Sequence, residues 1–442
     1  MLLRKVAYYL EAMRSWSLSR PELRKHQDRE LRIFLREAYE HVPFYRARFT
    51  QSGLLPEHIR GVDDLQKIPA LTKAEVNANF PARITRRDIR TRIWRDSTGS
   101  GTSKVPTRVL WSEEQSDTRD ALLARRLTKM GVRPWDRLAS VWPPQKYWRK
   151  RMVESGEARP TTLVDEIQIA SFMGGGLPFI SALEVDPDDL TRTARRYDAL
   201  HPDVVIGRAS VLRRLGLTLG ELKLDSSAKS LVCGNEFFTA SVERDLRKLF
   251  HAEVFRAYGG AEFGVIGGEC VGHKGIHLYE DFMIVEVLKE EARALPGEVG
   301  EIVLTSLHNR LMPFVRYRTG DFARVADAGV CPCGSSLMRV GPILGRERDA
   351  FVAKDGRKVL PLEVAESIES AVGLRDYQVI QRKADDVVLR LPRASVGDRK
   401  LVQEVASIIE GIAGTRLNFT VEERPAEEIW EKSRPVVHLI AH

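Results

Sequence analysis

The chain contains 442 residues, of which 43% are hydrophobic and 29% are charged, a composition typical of a folded globular protein. This length exceeds a single compact core, so two or three domains are expected. The formal net charge is +8, but the basic residues are scattered and no nucleic-acid-binding motif accompanies them. The charge therefore favours a solvated basic surface that prefers anionic ligands, rather than a nucleic-acid-binding protein.

The N-terminal stretch and the cysteine content both bear on where the protein works. Residues 1–16 place Arg4, Lys5 and Glu11 within an apolar stretch and lack a signal-peptide cleavage site, so we predict an amphipathic helix. No apolar run approaches the roughly 20 residues that span a bilayer, so no membrane insertion is expected. Four cysteines in so long a chain argue against a disulfide framework. These features predict a reducing, cytoplasmic location.

The N-terminal region has a helical pattern. Apolar residues at spacings of three and four predict a helix that ends near Glu40, because Pro43 cannot continue it. Phe44 and Tyr45 are then expected to pack onto the main body. The stretch 71–73 carries turn and cap signals and, taken alone, no chemistry.

The central part of the chain alternates strands and helices. Strands are predicted at Arg137–Trp142, Val204–Gly207, Ser230–Gly234 and Glu253–Tyr258. Helices are predicted at Glu113–Met130, Pro187–Leu200, Val211–Gly220 and Ala240–Phe250. This alternation implies a largely parallel sheet covered by helices, whose ligands sit beyond the carboxyl ends of the strands. The glycine-rich ends at Cys233–Glu236, which includes Gly234, and Tyr258–Glu262 are therefore candidate site positions.

The pattern of predicted secondary structure changes twice in the rest of the chain. Shorter strands between Gly275 and Val325 predict an antiparallel β subdomain, and mixed helices and strands after Asp349 predict a small separate domain. The predicted fold class is α/β. A large N-terminal domain, residues 1–344, would contain mostly parallel, helix-covered sheets and the β subdomain, and residues 345–442 would form a small, mobile α+β domain.

A loop rich in glycine and hydroxyl side chains lies between Asp96 and Pro106. Its small side chains let backbone N–H groups point inward, and its hydroxyls add donors, so its natural ligand is a phosphate chain. It is not a Walker A loop, because Lys104 precedes a Val-Pro pair at which a helix cannot readily begin. A flexible surface loop is the alternative interpretation. The candidate phosphate-binding residues are Ser97, Thr98, Gly99, Ser100, Gly101, Thr102 and Lys104.

Four stretches occur in one order along the chain: the loop at 96–106, Tyr258–Glu262, Arg316–Asp321 and Gly345–Asp349. Together they resemble the adenylate-forming superfamily of acyl-CoA synthetases, most closely its phenylacetate-CoA ligase branch, with the capsule-biosynthesis and coenzyme F390 synthetase relatives. The resemblance covers nearly the whole chain. Residues 41–45 and 71–73 are also similar to the N-terminal signatures of that branch.

The resemblance implies an ATP-binding site with distinct roles for several residues. Tyr258 would cover the adenine, and Gly259 and Gly260 would let the backbone approach the nucleotide. Glu262 would be a catalytic residue and magnesium ligand, and Asp321 would accept hydrogen bonds from both ribose hydroxyls. On the residues alone, Tyr258 as a core residue and Glu262 as a helix-start acid are the better interpretations.

The resemblance also implies a contribution from the small domain. Arg346 would reach the nucleotide and act in catalysis, and Lys432 would be the adenylating lysine. Arg348 stands at the hinge position, where the family usually has an acid or a lysine. Arg316 and Arg318 would either touch phosphate or pair with acids. The glycine loop is one residue longer than the usual form.

Cysteines and histidines form a separate candidate site. Cys331 and Cys333 flank a proline in a tight turn, and Cys270 lies upstream, followed by His273 and His277. Three cysteines and one histidine make a closed tetrahedral zinc site, which is structural rather than catalytic, and many members of the branch carry one. His277 is the preferred fourth ligand and His273 the second choice. Free thiols in a reducing cytosol are the alternative.

The resemblance implies an AMP-forming ligase that activates a small-molecule carboxylate with ATP and Mg²⁺ and transfers the acyl group to a thiol, with coenzyme A as the expected acceptor. The alternatives are an adenylating ligase with an amine or hydroxyl acceptor and a non-catalytic, zinc-stabilised scaffold. By position, the acyl pocket is assigned to Trp142–Trp148, Phe172–Pro178 and Gly207–Ser210. A homodimer is the default expectation for the assembly.

Overall fold

A computed structural model describes residues 2–88, 93–98, 107–142, 180–184, 190–327, 329–425 and 434–439. The chain forms two compact units, one of Met1–Gly131 and Ala257–Pro342 and the other of Val132–Arg256 and Ile343–His442. None of the helices in the described ranges is both long and apolar enough to cross a membrane.

The helices are α1 (Leu2–Ser15), α2 (Arg20–His41), α3 (Pro43–Gln51), α4 (Lys73–Asn79), α5 (Glu113–Lys129), α6 (Leu190–Leu200), α7 (Ala209–Glu221), α8 (Ala240–Phe250), α9 (Pro361–Val372) and α10 (Arg399–Ala413). Short 3₁₀ turns lie at Pro56–His58, Val62–Lys67, Glu347–Asp349 and Arg393–Ser395. The strands are β1 (Ile93–Thr98), β2 (Arg108–Ser112), β3 (Leu138–Trp142), β4 (Ile180–Glu184), β5 (Val204–Gly207), β6 (Ser230–Cys233), β7 (Glu253–Gly260), β8 (Gly264–Gly268), β9 (Ile276–Leu278), β10 (Met283–Lys289), β11 (Ala292–Arg293), β12 (Val299–Ser306), β13 (Tyr317–Val325), β14 (Arg339–Arg346), β15 (Phe351–Val352), β16 (Lys358–Val359), β17 (Gln378–Lys383), β18 (Asp386–Leu391), β19 (Asn418–Glu423) and β20 (Val436–His438).

The predicted N-terminal helix is present, but it packs through its polar side. Lys5 Nζ lies 2.6 Å from a carboxylate oxygen of Asp120 on α5, and the Tyr8 hydroxyl donates to Glu114 at 2.9 Å. Leu3 on the opposite face is 86% exposed. The predicted N-terminal helix is therefore confirmed, and its polar residues are the ones that contact α5.

The second helix ends as the sequence indicated. α2 stops at His41, and Pro43 begins α3 instead of a loop, because proline is favoured at the first position of a helix. Phe44 and Tyr45 are buried, as predicted.

The parallel sheet lies in the second unit. β4, β3, β5, β6 and the first residues of β7 are neighbours in that order, and every pair is parallel. Side chains of α7 and α8, among them Leu212, Leu215, Leu246 and Phe250, form one core with these strands. The predicted parallel, helix-covered sheet is confirmed.

The antiparallel strands lie in the first unit. Their order is β11, β10, β12, β13, β14, β9, β8 and the last residues of β7. The described pairings of β10 with β12, β12 with β13, β8 with β9 and β7 with β8 are all antiparallel. The predicted β subdomain is confirmed.

The C-terminal segment builds a sheet of its own within the second unit. The strand order is β19, β18, β17 and β20, and among the residues that the structure describes, the core of α9, α10 and these strands consists of side chains between Phe351 and Val436. The helix at Pro361–Val372 and the strand at Asp386–Leu391 have the predicted bounds. β20, which pairs in parallel with β17, was missed because three residues are too few for a recognisable pattern.

Glu369 is a buried carboxyl group that links α9 to the start of α8. The hydroxyl of Thr239, which caps α8, donates a hydrogen bond to Glu369, and Arg375 lies 4.0 Å from the same carboxylate. Burial is the largest influence and raises the pKa of Glu369 to about 7, against the opposing effects of Thr239, Arg375 and Arg213. The folded protein therefore binds this proton more tightly than the unfolded chain does.

A raised folded-state pKa makes stability depend on pH with a definite sign. The contribution of Glu369 is fully present below pH 4.5 and is lost as the pH rises through about 7, a change of up to about 3 kcal/mol. We predict that Glu369→Gln loses less free energy of unfolding between pH 5 and pH 8 than the wild type does, as measured by urea unfolding. Glu366→Gln on the exposed face of α9 should behave like the wild type. An unchanged loss in Glu369→Gln would contradict the assignment.

Candidate active site

Two of the predicted nucleotide-binding residues meet directly in the first unit. Tyr258 lies in β7, and Asp321 lies in β13, 63 positions further along the chain. The Tyr258 hydroxyl donates a hydrogen bond to Oδ2 of Asp321 at 2.9 Å, and Tyr258 is 6% exposed. An aromatic ring and a carboxylate that are distant in sequence therefore share one location.

Glu262 lies in the turn between β7 and β8. The hydroxyl of Tyr317, the first residue of β13, donates to Oε1 of Glu262 at 2.9 Å. Tyr317 is 3% exposed, and its ring packs edge-on against the ring of Phe314. No role was predicted for Tyr317, although it stands four positions before Asp321. An aromatic hydroxyl so close in sequence to a candidate ribose-binding carboxylate was the available signal.

Gly259 is required for the close approach of β7 and β8. A Cβ atom added there would lie 2.5 Å from the carbonyl oxygen of Gly264, which no side chain tolerates. The sequence analysis assigned Gly259 to nucleotide approach. The structure gives it a second task, because the hairpin that presents Glu262 closes only with a bare backbone at this position.

The ladder between β12 and β13 is interrupted next to Asp321. Val303 pairs with Arg318 and Glu301 pairs with Phe322, so that three residues of β13 stand opposite the single residue Ile302. Such a bulge redirects the side chains of the longer strand. The side chains of β13 therefore do not simply alternate between the two faces of the sheet, and alternation does not give the direction of the Asp321 side chain.

Hydrogen bonds hold the bulge in place. The Asp321 N–H donates to the Thr319 hydroxyl at 3.1 Å, and that hydroxyl donates to the carbonyl of Ile302 at 2.7 Å. The N–H of Gly320 donates to Oε1 of Glu301 at 3.0 Å. Gly320 has a φ of 74°, a left-handed conformation that favours glycine. The N–H groups of Gly320 and Asp321 and the hydroxyl of Thr319 thus hold the bulge in one conformation.

The two arginines of the same motif pair with acids. Arg316 is buried, with its Nε atom 3.0 Å from Oε2 of Glu286, and it also donates to the carbonyl of Ile68 at 2.8 Å. Arg318 Nε lies 2.8 Å from Glu301. Of the two interpretations that the sequence left open for these arginines, these contacts favour pairing with acids.

The N-terminal signatures pack against this motif. The N–H of Leu71 donates to the carbonyl of Arg316 at 2.8 Å, and the N–H of Arg318 donates to the carbonyl of Leu71 at 2.9 Å. The buried Tyr45 hydroxyl donates to the carbonyl of Pro313 at 2.8 Å. Residues 41–45 and 71–73, which were given no catalytic or binding role, therefore hold in place the strand that carries Asp321.

Most of the predicted phosphate-binding loop falls outside the described residues. Ser97 and Thr98 form the end of β1, which pairs antiparallel with β2, and Thr98 stands opposite Arg108. Gly99, Ser100, Gly101, Thr102, Lys104 and Lys432 lie outside the part of the chain that the structure describes.

Other predicted positions lie in the second unit. The N–H of Gly234 donates to the carbonyl of Gly207 at 3.1 Å, at the carboxyl ends of β6 and β5, and Arg346 is the last residue of β14. Trp142 ends β3. Of the other residues assigned to the acyl pocket, Gly207 ends β5 and Ser210 lies in the first turn of α7, whereas residues 143–148 and 172–178 lie outside the described ranges.

The predicted metal ligands converge at a second place in the first unit. The ligand atoms of Cys270, His277, Cys331 and Cys333 all lie within 4.8 Å of one another. The Cys270 and Cys331 sulfurs are 3.7 Å apart, and Nε2 of His277 is 3.6 Å from the Cys333 sulfur. His273 instead lies 3.9 Å from Glu269. His277 is thus the histidine that accompanies the cysteines.

Burial sets the electrostatics of this cluster. It lowers the pKa of His277 to about 4, with smaller effects from Arg339 and Arg125, so the imidazole is neutral at pH 7. It also raises the pKa of Cys270 to about 12. Three sulfurs and a neutral imidazole nitrogen at this spacing are the donor set of a closed tetrahedral zinc site.

Curated relatives identify the branch to which this chain is similar. A phenylacetate-coenzyme A ligase of Thermus thermophilus is 28% identical over 429 residues, which cover 93% of this chain and 91% of that protein. The Escherichia coli phenylacetate-coenzyme A ligase is 25% identical over 78% of this chain and 76% of its own length. The predicted resemblance to the adenylate-forming superfamily, in its phenylacetate-CoA ligase branch, is confirmed.

The protein CapK of Staphylococcus aureus is 19% identical over 55% of this chain and 54% of its own length. No protein-family model matches the chain.

Solved structures of CoA ligases share the fold of this chain. A 2-hydroxyisobutyryl-CoA ligase, crystallised in the postadenylation state with R3-HIB-AMP, superposes with a TM-score of 0.73 at 20% identity, over 93% of this chain and 88% of that one. An anthranilate CoA ligase in complex with anthranoyl-AMP gives a TM-score of 0.54 at 14% identity, over 75% and 64%. At these identities the likeness concerns the fold alone.

We predict that breaking the buried ion pair of Arg316 and Glu286 strongly lowers the free energy of unfolding. Arg316→Ala leaves the Glu286 carboxylate buried without its partner, which costs about 3–5 kcal/mol of unfolding free energy. Arg324→Ala, an exposed change on the strand β13 that follows Arg316, should stay within about 0.5 kcal/mol of the wild type. Urea unfolding at pH 7 measures both. A loss below about 1 kcal/mol in Arg316→Ala would show that the pair does not hold the motif.

Proposed function

We propose that this protein is an AMP-forming ligase that activates a carboxylic acid with ATP. The observation that carries the proposal is the hydrogen bond between Tyr258 and Asp321, because it joins two predicted nucleotide contacts from distant parts of the chain. Glu262 belongs to the same hairpin as Tyr258 and is bonded to the strand of Asp321 through Tyr317. The similarity to phenylacetate-coenzyme A ligases over almost the full length supports the same reaction class.

In the first half-reaction, a carboxylate oxygen of the acid attacks the α-phosphorus of ATP. A new oxygen–phosphorus bond forms, the bond to the β-phosphate breaks, and pyrophosphate leaves with its electron pair. Asp321 would accept hydrogen bonds from the ribose hydroxyls, since an ionised carboxylate has two acceptor oxygens. Tyr258 would lie against the adenine. Positioning of the two reactants then supplies much of the rate.

The residues present fit a magnesium ion beside the phosphates. Oε1 of Glu262 accepts a hydrogen bond from Tyr317, and the other carboxylate oxygen suits a hard cation that prefers oxygen ligands. Magnesium, when bound, offsets the negative charge that develops on the phosphates. Ser97 and Thr98 lead into the proposed phosphate loop, which comprises Gly99, Ser100, Gly101, Thr102 and Lys104.

In the second half-reaction, a thiol attacks the acyl carbon, the thioester bond forms, and AMP leaves. We assign coenzyme A as the thiol on the strength of the similarity to phenylacetate-coenzyme A ligases. An amine or hydroxyl acceptor is the alternative that the sequence left open. The carboxyl ends of β3 and β5, at Trp142 and Gly207, are where we place the acyl pocket.

The small domain would complete the site. We propose a boundary after residue 344, supported by the separate core of the C-terminal sheet, with Arg346 near the nucleotide and Lys432 as the adenylating lysine. Motion of this domain would act as a lid between the half-reactions. We infer a cytoplasmic location, because the four free cysteines fit a reducing compartment. A homodimer remains our expectation for the assembly.

We also propose that the cysteine and histidine cluster holds one structural zinc ion. Cys270, His277, Cys331 and Cys333 supply four donors, so no position is left for a substrate. Zinc, when bound, would cross-link the segment before β9 to the loop before β14.

Carboxylate-dependent exchange of labelled pyrophosphate into ATP tests the adenylation step. The wild type should show exchange with at least one member of a panel of aromatic and aliphatic acids. Asp321→Ala should raise the KM for ATP by about 100-fold or more, because two charge-assisted hydrogen bonds of about 1.5–3 kcal/mol each are lost. Asp327→Asn, an exposed change shortly after β13, is the matched control and should match the wild type.

The same assay separates the alternatives. Consumption of the acyl-adenylate on addition of coenzyme A supports the thioester ligase, and consumption only with an amine or alcohol supports the alternative acceptor. No exchange with any acid would favour a non-catalytic scaffold. Equal KM values for ATP in the wild type and Asp321→Ala would contradict the ribose assignment.

Metal analysis tests the zinc site. Purified wild type should contain about one equivalent of zinc, and Cys331→Ser should lose it together with part of its thermal stability. Cys233→Ser removes the one cysteine outside the cluster and should retain the metal. Zinc-free wild type that is as stable as zinc-loaded protein would refute a structural role.

A further inference from the structure

Tyr317 joins the strand that carries Asp321 to the turn that carries Glu262. Its hydroxyl donates a hydrogen bond to Oε1 of Glu262 at 2.9 Å. The tyrosine is almost fully buried, so the contact is shielded from water and electrostatically stronger than one at the surface.

The position of this hydroxyl is fixed by its surroundings. The Tyr317 ring lies edge-on to Phe314, with 5.1 Å between centroids, and tilted against Phe263 at 6.1 Å. The backbone of Tyr317 forms a bridge with Leu71, and the preceding Arg316 is held in a buried ion pair. Few rotations remain that would move the hydroxyl away from Glu262.

The Glu262 side chain is confined from two sides. Oε1 is engaged by Tyr317, and Oε2 lies over Gly260, where an added Cβ would stand only 3.3 Å away. A glutamate has three rotatable side-chain bonds and loses substantial entropy when it is ordered. The tyrosine and the bare glycine backbone together select one orientation of the carboxylate before any ligand binds.

We propose that Tyr317 is a positioning residue for the metal-dependent part of adenylation. Because its hydroxyl occupies Oε1 of Glu262, the other carboxylate oxygen would be the one available to hold magnesium when ATP binds. Hydrogen bonds from an outer layer of residues commonly orient metal-binding carboxylates in this way. This inference rests on the proposed function, since it assumes that Glu262 contacts magnesium.

The same strand and hairpin contain a matched control. The Tyr258 hydroxyl donates to Asp321 at the same 2.9 Å that separates Tyr317 from Glu262. Tyrosine to phenylalanine at either position removes one buried hydroxyl and keeps the ring. The two variants therefore differ in which carboxylate loses its donor.

Calorimetric titration of ATP, without added acid and with either magnesium or EDTA, measures the coupling between metal and nucleotide. The coupling is the ratio of the two dissociation constants. Tyr317→Phe should lower this ratio about tenfold while changing ATP affinity in EDTA less than about twofold. Tyr258→Phe should weaken ATP binding under both conditions and leave the ratio unchanged. Glu262→Gln defines the full loss of coupling.

A second variant approaches the same carboxylate from the other side. Gly260→Ala places a Cβ against Oε2 of Glu262 and should also lower the ratio. If the ratio of dissociation constants in Tyr317→Phe equals that of the wild type while the ratio in Glu262→Gln is lowered, the role of Tyr317 is overturned. The proposed function is then left intact. Failure of the wild type to bind ATP under either condition would instead remove the proposed function and this inference with it.

Discussion

The interruption of the ladder between β12 and β13 governs the candidate site. Three residues of β13 stand opposite Ile302, and the extra backbone would be left without partners unless other groups bonded to it. Thr319 and Glu301 supply those groups, and Gly320 supplies the left-handed conformation. Asp321 therefore projects from a bulge held by specific hydrogen bonds, as is common where a strand must redirect a functional side chain.

The arginines and the two candidate carboxylates around this bulge have different kinds of partner. The cationic side chains of the motif turn to structural acids, Arg316 to Glu286 and Arg318 to Glu301. Asp321 and Glu262 receive hydrogen bonds from tyrosine hydroxyls. A neutral donor orients a carboxylate without cancelling its charge, whereas a bidentate arginine would occupy both oxygens. Each candidate carboxylate thus accepts a hydrogen bond from a neutral tyrosine hydroxyl, which is compatible with the ribose and magnesium roles proposed for Asp321 and Glu262.

Local patterns in the sequence predicted the elements more completely than the pairings between them. Helices such as Ala240–Phe250 and strands such as Asp386–Leu391 follow from spacing and caps, which are properties of neighbouring residues. The bridge from Leu71 to Tyr317 and the pairing of Arg316 with Glu286 depend on contacts between distant segments, which no local pattern specifies.

The same distinction applies to the candidate site. Tyr258 and Asp321 were expected to meet because a family resemblance supplied long-range information that composition and spacing lack. Tyr317 was missed because the bulge breaks the alternation that would relate it to Asp321. Lys432 and residues 99–106 lie outside the described ranges, so their roles stay as the sequence left them.

The hairpin of β7 and β8 connects the metal cluster to the candidate site. Glu262 lies in the turn at one end of β8, and Cys270 follows the other end, where Gly268 pairs with His277 of β9. A slip of β8 by one residue would move every side chain of this short strand to the opposite face. Zinc at the cluster would oppose such a slip, because Cys270 and Cys331 are separated by 61 positions and their cross-link fixes β8 against a distant loop. The register of β8, on which the hydrogen bond between Tyr317 and Glu262 depends, would then be fixed at the end of the strand that lies next to the cluster. A structural metal can in this way influence the geometry of a carboxylate that it does not touch.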